Sequence, residues 1–269
     1  MTIRLGDDVE FSVTQFRDAW KLLCGAAEGY VFEQTAGIDY VFSGLPIPFF
    51  NAAVVTASDV STDTLRAHGR DACAWAASKR VPWMFVVTHD ALAPGVDAAS
   101  ELDACGLTPM LPLTGMRAPS IPSRRAAGDG LQVATADDAA ALTSIVDVNS
   151  AAYGVDLDAS KTLLANPSFW AGHVPALGRV DGTPVASAAV MMVAGCRYVL
   201  LVATMPDRQR RGYAEAVMRH ALDVAAATHG ETPTTLHATD AGRPIYARMG
   251  YDTIATHTAF IEKRFLDGH

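Results

Sequence analysis

Between Val202 and Val217 the chain reads VATMPDRQRRGYAEAV: an apolar run, a proline, a loop carrying Arg208, Arg210 and Arg211, then Gly212 ahead of a helical pattern. The first N–H groups of a helix lack intrahelical acceptors and sit at the positive end of its dipole. Here they fall beside three arginines, an arrangement suited to a pyrophosphate. Gly212 carries no Cβ to keep a phosphate off the backbone. Taken alone, the stretch is also readable as a basic loop capping an ordinary helix, with its arginines solvated. A nucleotide P-loop is excluded because GxxxxGK[ST] is absent. A Rossmann fingerprint is excluded because one glycine stands where three are needed.

The elements around this loop must hold it in place. Cys196–Thr204 reads as a strand, apolar nearly throughout, and Gly212–Thr228 as a helix. In that helix Ala214, Val217, Met218, Ala221, Leu222 and Ala225 follow the i, i+3, i+4, i+7 rule. Before them come a short strand at Leu131–Ala134, a helix at Ala136–Asp147 with Asp137 and Asp138 in its first turn, and a helical stretch near Ala159–Ala165. The runs Gly172–Val180 and Pro184–Val193 flank Asp181-Gly182, a strong hairpin turn signal. After the helix come strands at Thr234–Ala238 and Asp252–Glu262 with a short helix, Gly242–Met249, between them. The order implies a mixed α/β sheet (α+β in its strand directions) with helices on its faces.

The first half repeats this grammar more weakly. It has helices at Phe11–Cys24, Thr62–Ser78 and Ala98–Cys105, with strands at Tyr40–Phe42, Ala52–Thr56 and Trp83–Thr88. Gly106-Leu107 sits where Gly250-Tyr251 sits in the second half, after a helix and before a final strand. The pattern predicts a diverged internal duplication. A Pro-, Ser-, Gly- and Arg-rich stretch divides the halves. The expected organisation is therefore 1–117, a linker at 118–130, and 131–269.

Half of the 269 residues are apolar and 19% charged, which predicts a well-buried core. The net charge of −8 argues against non-specific nucleic-acid binding and against an anionic membrane surface. Cys24, Cys73, Cys105 and Cys196 are far apart, with no CxxC pair and no histidine at ligand spacing. They read as reduced thiols, mostly buried, and no metal site is expected. With neither a signal-peptide h-region nor a membrane-length apolar run, a cytoplasmic protein is expected.

Gln209-Arg210-Arg211-Gly212-Tyr213-Ala214 matches the pattern Q/R-x-x-G-x-G/A with which the GNAT superfamily of N-acetyltransferases holds the pyrophosphate of acetyl-CoA. The preceding V-A-T-x-P and the later GRPIYARMGY, Gly242 to Tyr251, match that family's flanking strand and final helix. The second half thus resembles a GNAT acetyltransferase domain. The first half, with GLPIPFFN at Gly44–Asn51 and GLTP…GM ending at Met116, resembles the N-terminal half of two-domain bacterial GNAT proteins. It has no equivalent of the Gln-Arg-Arg-Gly loop. The resemblance implies two tandem GNAT-like halves, with the cofactor site in the C-terminal one.

The resemblance also implies roles. Val202, Ala203 and Thr204 should line the pantetheine arm of acetyl-CoA through backbone groups, on a strand that splays from its neighbour. Gln209, Arg210, Arg211, Gly212, Tyr213 and Ala214 should cradle the pyrophosphate. Tyr246 stands at the family's general-acid tyrosine, four residues before Gly250-Tyr251, and a phenol there can protonate the departing thiolate. Thr239 stands where many members carry a coenzyme-contacting Asn. Ala151–Trp170 falls where the acceptor site is shaped, so Tyr153 and Trp170 become candidate walls and Asp156 a partner for a cation. Both aromatics are equally readable as core residues. Tyr198–Val202 offers no carboxylate as general base. His173, Asp156 and Tyr153 are the candidates for that role, although a lone His in an apolar strand is more often structural.

The implied activity is transfer of an acetyl group to a primary amine of a small molecule in a ternary complex, by a monomer or a homodimer. The alternatives are a non-catalytic acetyl-CoA-binding protein, and an acyltransferase with another donor or acceptor.

Overall fold

The computed structural model describes residues 5–122 and 130–266. Part of the expected linker, residues 123–129, lies outside the described residues. In chain order the elements are α1 (Leu5–Gly25), β1 (Val31–Gln34), β2 (Ile38–Phe42), β3 (Asn51–Val55), α2 (Thr62–Ala76), β4 (Met84–Thr88), α3 (Ala98–Asp103) and β5 (Leu107–Ala118). There follow β6 (Leu131–Thr135), α4 (Ala139–Tyr153), α5 (Lys161–Leu164), β7 (Val174–Val180), β8 (Thr183–Val193), β9 (Cys196–Thr204), α6 (Tyr213–His229), β10 (Thr234–Ala238), α7 (Arg243–Met249) and β11 (Asp252–Glu262). From α1 to β5 and from α4 to β11 the principal elements recur in the same order, as a duplication requires.

The chain forms two compact units. One comprises Met1–Met116, His237–Tyr246 and Asp252–His269, and the other Arg117–Leu236 and Ala247–Tyr251. Two segments from the second half of the sequence, His237–Tyr246 and Asp252–His269, fall in the first unit, and the latter contains β11. It pairs antiparallel with β4, with Ala259 opposite Val86 and Phe260 opposite Phe85. The last strand of the chain is therefore built into the sheet of the first unit, where Phe260 and Ala259 complete two cores.

The strand order in the first unit is β1-β2-β3-β4-β11-β5. Both faces of β3 and β4 are covered, so their sequences, NAAVV and MFVVT, are apolar almost without interruption. Ala53, Val55, Phe85 and Val87 join one core with Leu65 and Leu102, from α2 and α3. Ala52, Val54, Met84 and Val86 join the other with Val13 and Phe16, from α1. The GLPIPFFN turn is held by Asn51. Its Oδ1 accepts from the N–H groups of Ser43 and Gly44, and its Nδ2 donates to the carbonyls of Leu45, Ile47 and Pro82.

In the second unit the order is β10-β9-β8-β7-β6, antiparallel except for the β10/β9 pair. Asp181-Gly182 turns β7 into β8 with both residues at positive φ, the type I′ geometry expected of that pair. The helical stretch expected near 159–165 is present as a single 3-10 turn, Asp158–Ser160, running into the four-residue α5. α5 ends at Leu164, and Asn166, restricted by Pro167, adopts φ −88 and ψ 114 and caps the next 3-10 turn, Pro167–Trp170. Asp138, expected in the first turn of α4, is its N-cap and accepts from the Ala141 N–H at 2.7 Å.

Candidate active site

Between β9 and α6 the loop makes one 3-10 turn, Pro206–Arg208, and reaches α6 through Arg210 at φ +63 and Gly212 at φ +77. Gly212 is the N-cap and has no side chain with which to cap the helix. The first-turn N–H groups are therefore left for an outside acceptor. A Cβ built on Gly212 would meet nothing within 4 Å, so the space over the helix end is open. Gln209, Arg210 and Arg211 are exposed there, while Tyr213 is buried and offers only its backbone. Arg208 is paired with Asp207 at 3.1 Å. Glu215, the acidic residue of the first turn, is paired with Arg219 at 3.0 Å. These residues fit a diphosphate: uncapped first-turn N–H groups adjoin exposed Arg210 and Arg211, nothing lies within 4 Å of a Cβ built on Gly212, and the carboxylates of Asp207 and Glu215 are paired.

The C-terminal half of β9 is irregular. Ser187 of β8 is opposite Ala203 and Ala189 is opposite Leu200, so Leu201 and Val202 together face Ala188 in a β-bulge. Leu201 sits at φ +53, which for a leucine costs on the order of 1–3 kcal/mol. Its carbonyl accepts from Ser187 Oγ at 2.9 Å and, at 3.4 Å, from Asn149 Nδ2 of α4. Such bonds contribute ~1 kcal/mol each and offset the strain. On the other edge of β9, β10 pairs through Thr234 with Arg197 and Thr235 with Tyr198. Among the described residues that pairing stops short of the bulge, so the strands part before Leu201.

Tyr153, at the last position of α4, is 52% exposed, and its hydroxyl donates to the Val202 carbonyl at 2.9 Å. Desolvation raises its phenol above the ordinary tyrosine range. An expected acceptor wall thus touches the expected cofactor strand. Trp170 is a core residue: it is buried to 5% exposure, with Nε1 donating to the Leu164 carbonyl at 2.8 Å. Asp156 is exposed and accepts from the Asp158 N–H in a local turn. His173 Nδ1 accepts from the Met192 N–H at 3.3 Å, and burial lowers its pKa. That hydrogen bond is the structural role weighed against a catalytic one.

Tyr246 and Thr239 belong to the first unit. The Thr239 carbonyl accepts from the N–H groups of Gly242 and Arg243, which starts α7. The ring of Tyr246 lies over Gly242, where an added Cβ would come within 2.9 Å of its Cε2. Tyr246 itself is buried.

Asn149 and Ser187 were not among the residues expected to matter. Their signal is a polar residue inside an apolar pattern. Asn149 continues the buried stripe of Leu142, Ile145 and Val146, and Ser187 interrupts the buried Val185–Met191 run.

The second unit is a mixed α/β sheet in which a bulged strand leads through an arginine-bearing loop into an uncapped helix N-terminus. Residues 177–265 match the family model "Acetyltransferase (GNAT) domain". Its structure matches a GCN5-related N-acetyltransferase from Kribbella flavida at TM-score 0.68 and 19% identity, covering 95% of both chains. It also matches a GCN5-related N-acetyltransferase from Sphaerobacter thermophilus at TM-score 0.55 and 13% identity, covering 96% of this chain and 93% of that one. A tandem GNAT protein from the clavulanic acid biosynthesis pathway matches at TM-score 0.53 and 13% identity, over 96% of each chain. These likenesses show the fold, which is GNAT and tandem. Among curated proteins the chain has no match. Among the described residues no helix is long and apolar enough to cross a membrane.

Proposed function

We propose that the protein is an N-acetyltransferase that moves an acetyl group from acetyl-CoA to a primary amine of a small molecule, directly and without an enzyme-bound acyl group. The observation that carries this reading is Gly212 at φ +77, opening α6 without a side-chain cap straight after the exposed Arg210 and Arg211.

Acetyl-CoA supplies an activated thioester. Gln209 to Ala214 bind its diphosphate through first-turn N–H groups and guanidinium charge. The backbone of Val202, Ala203 and Thr204 lines its pantetheine arm, and Thr239 takes the coenzyme-contacting position. The neutral amine nitrogen attacks the carbonyl carbon, the C–N bond forms and the C–S bond breaks. The Val202 N–H faces the charge that develops on the carbonyl oxygen. Tyr246, proposed from its place before Gly250-Tyr251, holds the proton that the leaving sulfur takes. Water accepts the proton released by the amine, since β9 carries no carboxylate.

Calorimetric titration with acetyl-CoA tests the site. The wild type is expected to bind, and an Arg211→Ala, Gly212→Asp double variant to lose binding. No wild-type binding at millimolar ligand would end the reading. The missing carboxylate on β9 favours a second one, a protein that binds acetyl-CoA without turnover. Thiol release against an amine library separates the two.

A further inference from the structure

We infer that Ser187 and Asn149 are positioning residues that aim the Val202 N–H at the acyl carbonyl. The inference rests on the proposed acetyl-CoA site and adds what sets its geometry.

Asn149 Nδ2 donates to the Ile145 carbonyl at 2.8 Å and to Ser187 Oγ at 2.9 Å. An amide nitrogen has two protons, and these are its two short bonds; the third contact, with the Leu201 carbonyl at 3.4 Å, shares one of the same protons. Because Ser187 Oγ accepts from Asn149, its own proton is directed to the remaining acceptor, the Leu201 carbonyl at 2.9 Å. The chain Asn149 N–H, Ser187 O–H, Leu201 C=O is thus polarised in one direction. Both side chains are buried, at 1% and 0% exposure, so water does not compete for these bonds.

The carbonyl of Leu201 and the N–H of Val202 belong to one peptide plane. In a trans peptide they point to opposite sides, and the described chain has no cis bonds. Holding the Leu201 oxygen on Ser187 therefore turns the Val202 N–H away from β8 and α4. The bulge removes that N–H from the regular ladder, since Leu201 and Val202 share Ala188 as their opposite residue. A backbone donor released from its ladder and locked in direction by two buried side chains is a preorganised donor for an oxyanion. Asn149 Oδ1 is itself buried without a partner, which an arrangement selected for packing alone would not retain.

The test reads the carbonyl directly and needs no acceptor. Infrared difference spectra of [1-13C]acetyl-CoA bound to the wild type, Ser187→Ala and Asn149→Leu report hydrogen bonding at the thioester oxygen. Calorimetry with CoA, which lacks the acyl group, serves as the control. The wild type is expected to shift the carbonyl stretch to lower frequency than in free ligand. Both variants are expected to lose at least half of that shift while their CoA affinity stays within threefold. A variant that keeps the full shift overturns the inference. So does parallel loss of CoA affinity in both variants, which would make the pair a packing feature. A wild type that binds acetyl-CoA with an unshifted carbonyl overturns it too, while leaving the proposed function standing. No wild-type binding at all removes the function and this inference together. If one variant fails to fold, the other decides.

Discussion

The Tyr153 hydroxyl donates at 2.9 Å to the carbonyl oxygen of Val202, which ties the end of α4 to the bulged strand β9. The same carbonyl is the expected partner of a pantetheine N–H. Tyr153→Phe frees it. The expected outcome is severalfold tighter acetyl-CoA binding by calorimetry, because a net hydrogen bond of about 1 kcal/mol no longer has to be given up or shared. Tenfold weaker binding would make the tyrosine part of the coenzyme site instead.

Gly212 supplies a left-handed N-cap with open space above it. Gly212→Ala meets no steric clash in the protein, so its stability penalty is the backbone strain alone, ~1–2 kcal/mol. Its effect on ligand is expected to be larger, because the methyl occupies the approach of the phosphate. Urea denaturation should show the small loss and calorimetry more than a tenfold weakening. Equal, small effects on both would mean the helix end does not bind a phosphate.

In the first unit a polar chain joins the buried Thr88, His257 and Ser12 to the half-buried His237. His257 Nδ1 lies 2.8 Å from Thr88 Oγ1, and Ser12 Oγ lies 2.9 Å from His257 Nε2 and 3.1 Å from His237 Nε2. Burial pushes His257 down to about 4, with Asp90 opposing and His89 assisting, and burial and His257 push His237 down as well. A histidine depressed on folding is protonated first in the unfolded chain. Stability is therefore full above pH 6.5 and falls as the pH drops from 6.5 to about 4. The part due to His257 is on the order of 3 kcal/mol. Urea midpoints between pH 8 and pH 4.5 should fall in that window for the wild type and more shallowly for His257→Gln. Identical slopes would show that the ring does not carry the effect.

Asn51 is fully buried and satisfies two N–H groups and three carbonyls of the GLPIPFFN turn and of Pro82. Asn51→Ala orphans several of these groups at once, and a loss of about 3 kcal/mol is expected. Thermal unfolding should show it. A loss below about 1 kcal/mol would mean that water enters the turn and replaces the side chain.

Much of the fold was legible along the chain. Cys196–Thr204, Thr234–Ala238 and Asp252–Glu262 are strands at the bounds expected; the first two are largely buried along their length, and the third is exposed at its start and buried toward its end. β1 was not expected because Val31–Gln34 is four residues with a half-exposed, polar end. The turn Ala194-Gly195 carries no signal at its first position, yet Ala194 takes φ +44 between Val193 and Cys196. The helical stretch expected near 159–165 is helical over 158–164, as a 3-10 turn followed by α5.

The phosphate-type loop could be read from residues alone because its parts are contiguous. A strand, a proline, arginines and a glycine at a helix start act through local backbone geometry, which needs no distant partner. The bulge at Leu201 and the pairing of β11 with β4 could not be read this way. Each depends on groups far apart in sequence, Asn149 with Ser187 and Leu201 in one case, Val86 with Ala259 in the other. A positive φ on a leucine and the choice of a strand's neighbour are settled by which buried groups find hydrogen bonds and apolar cover. That is fixed only when the chain has closed on itself.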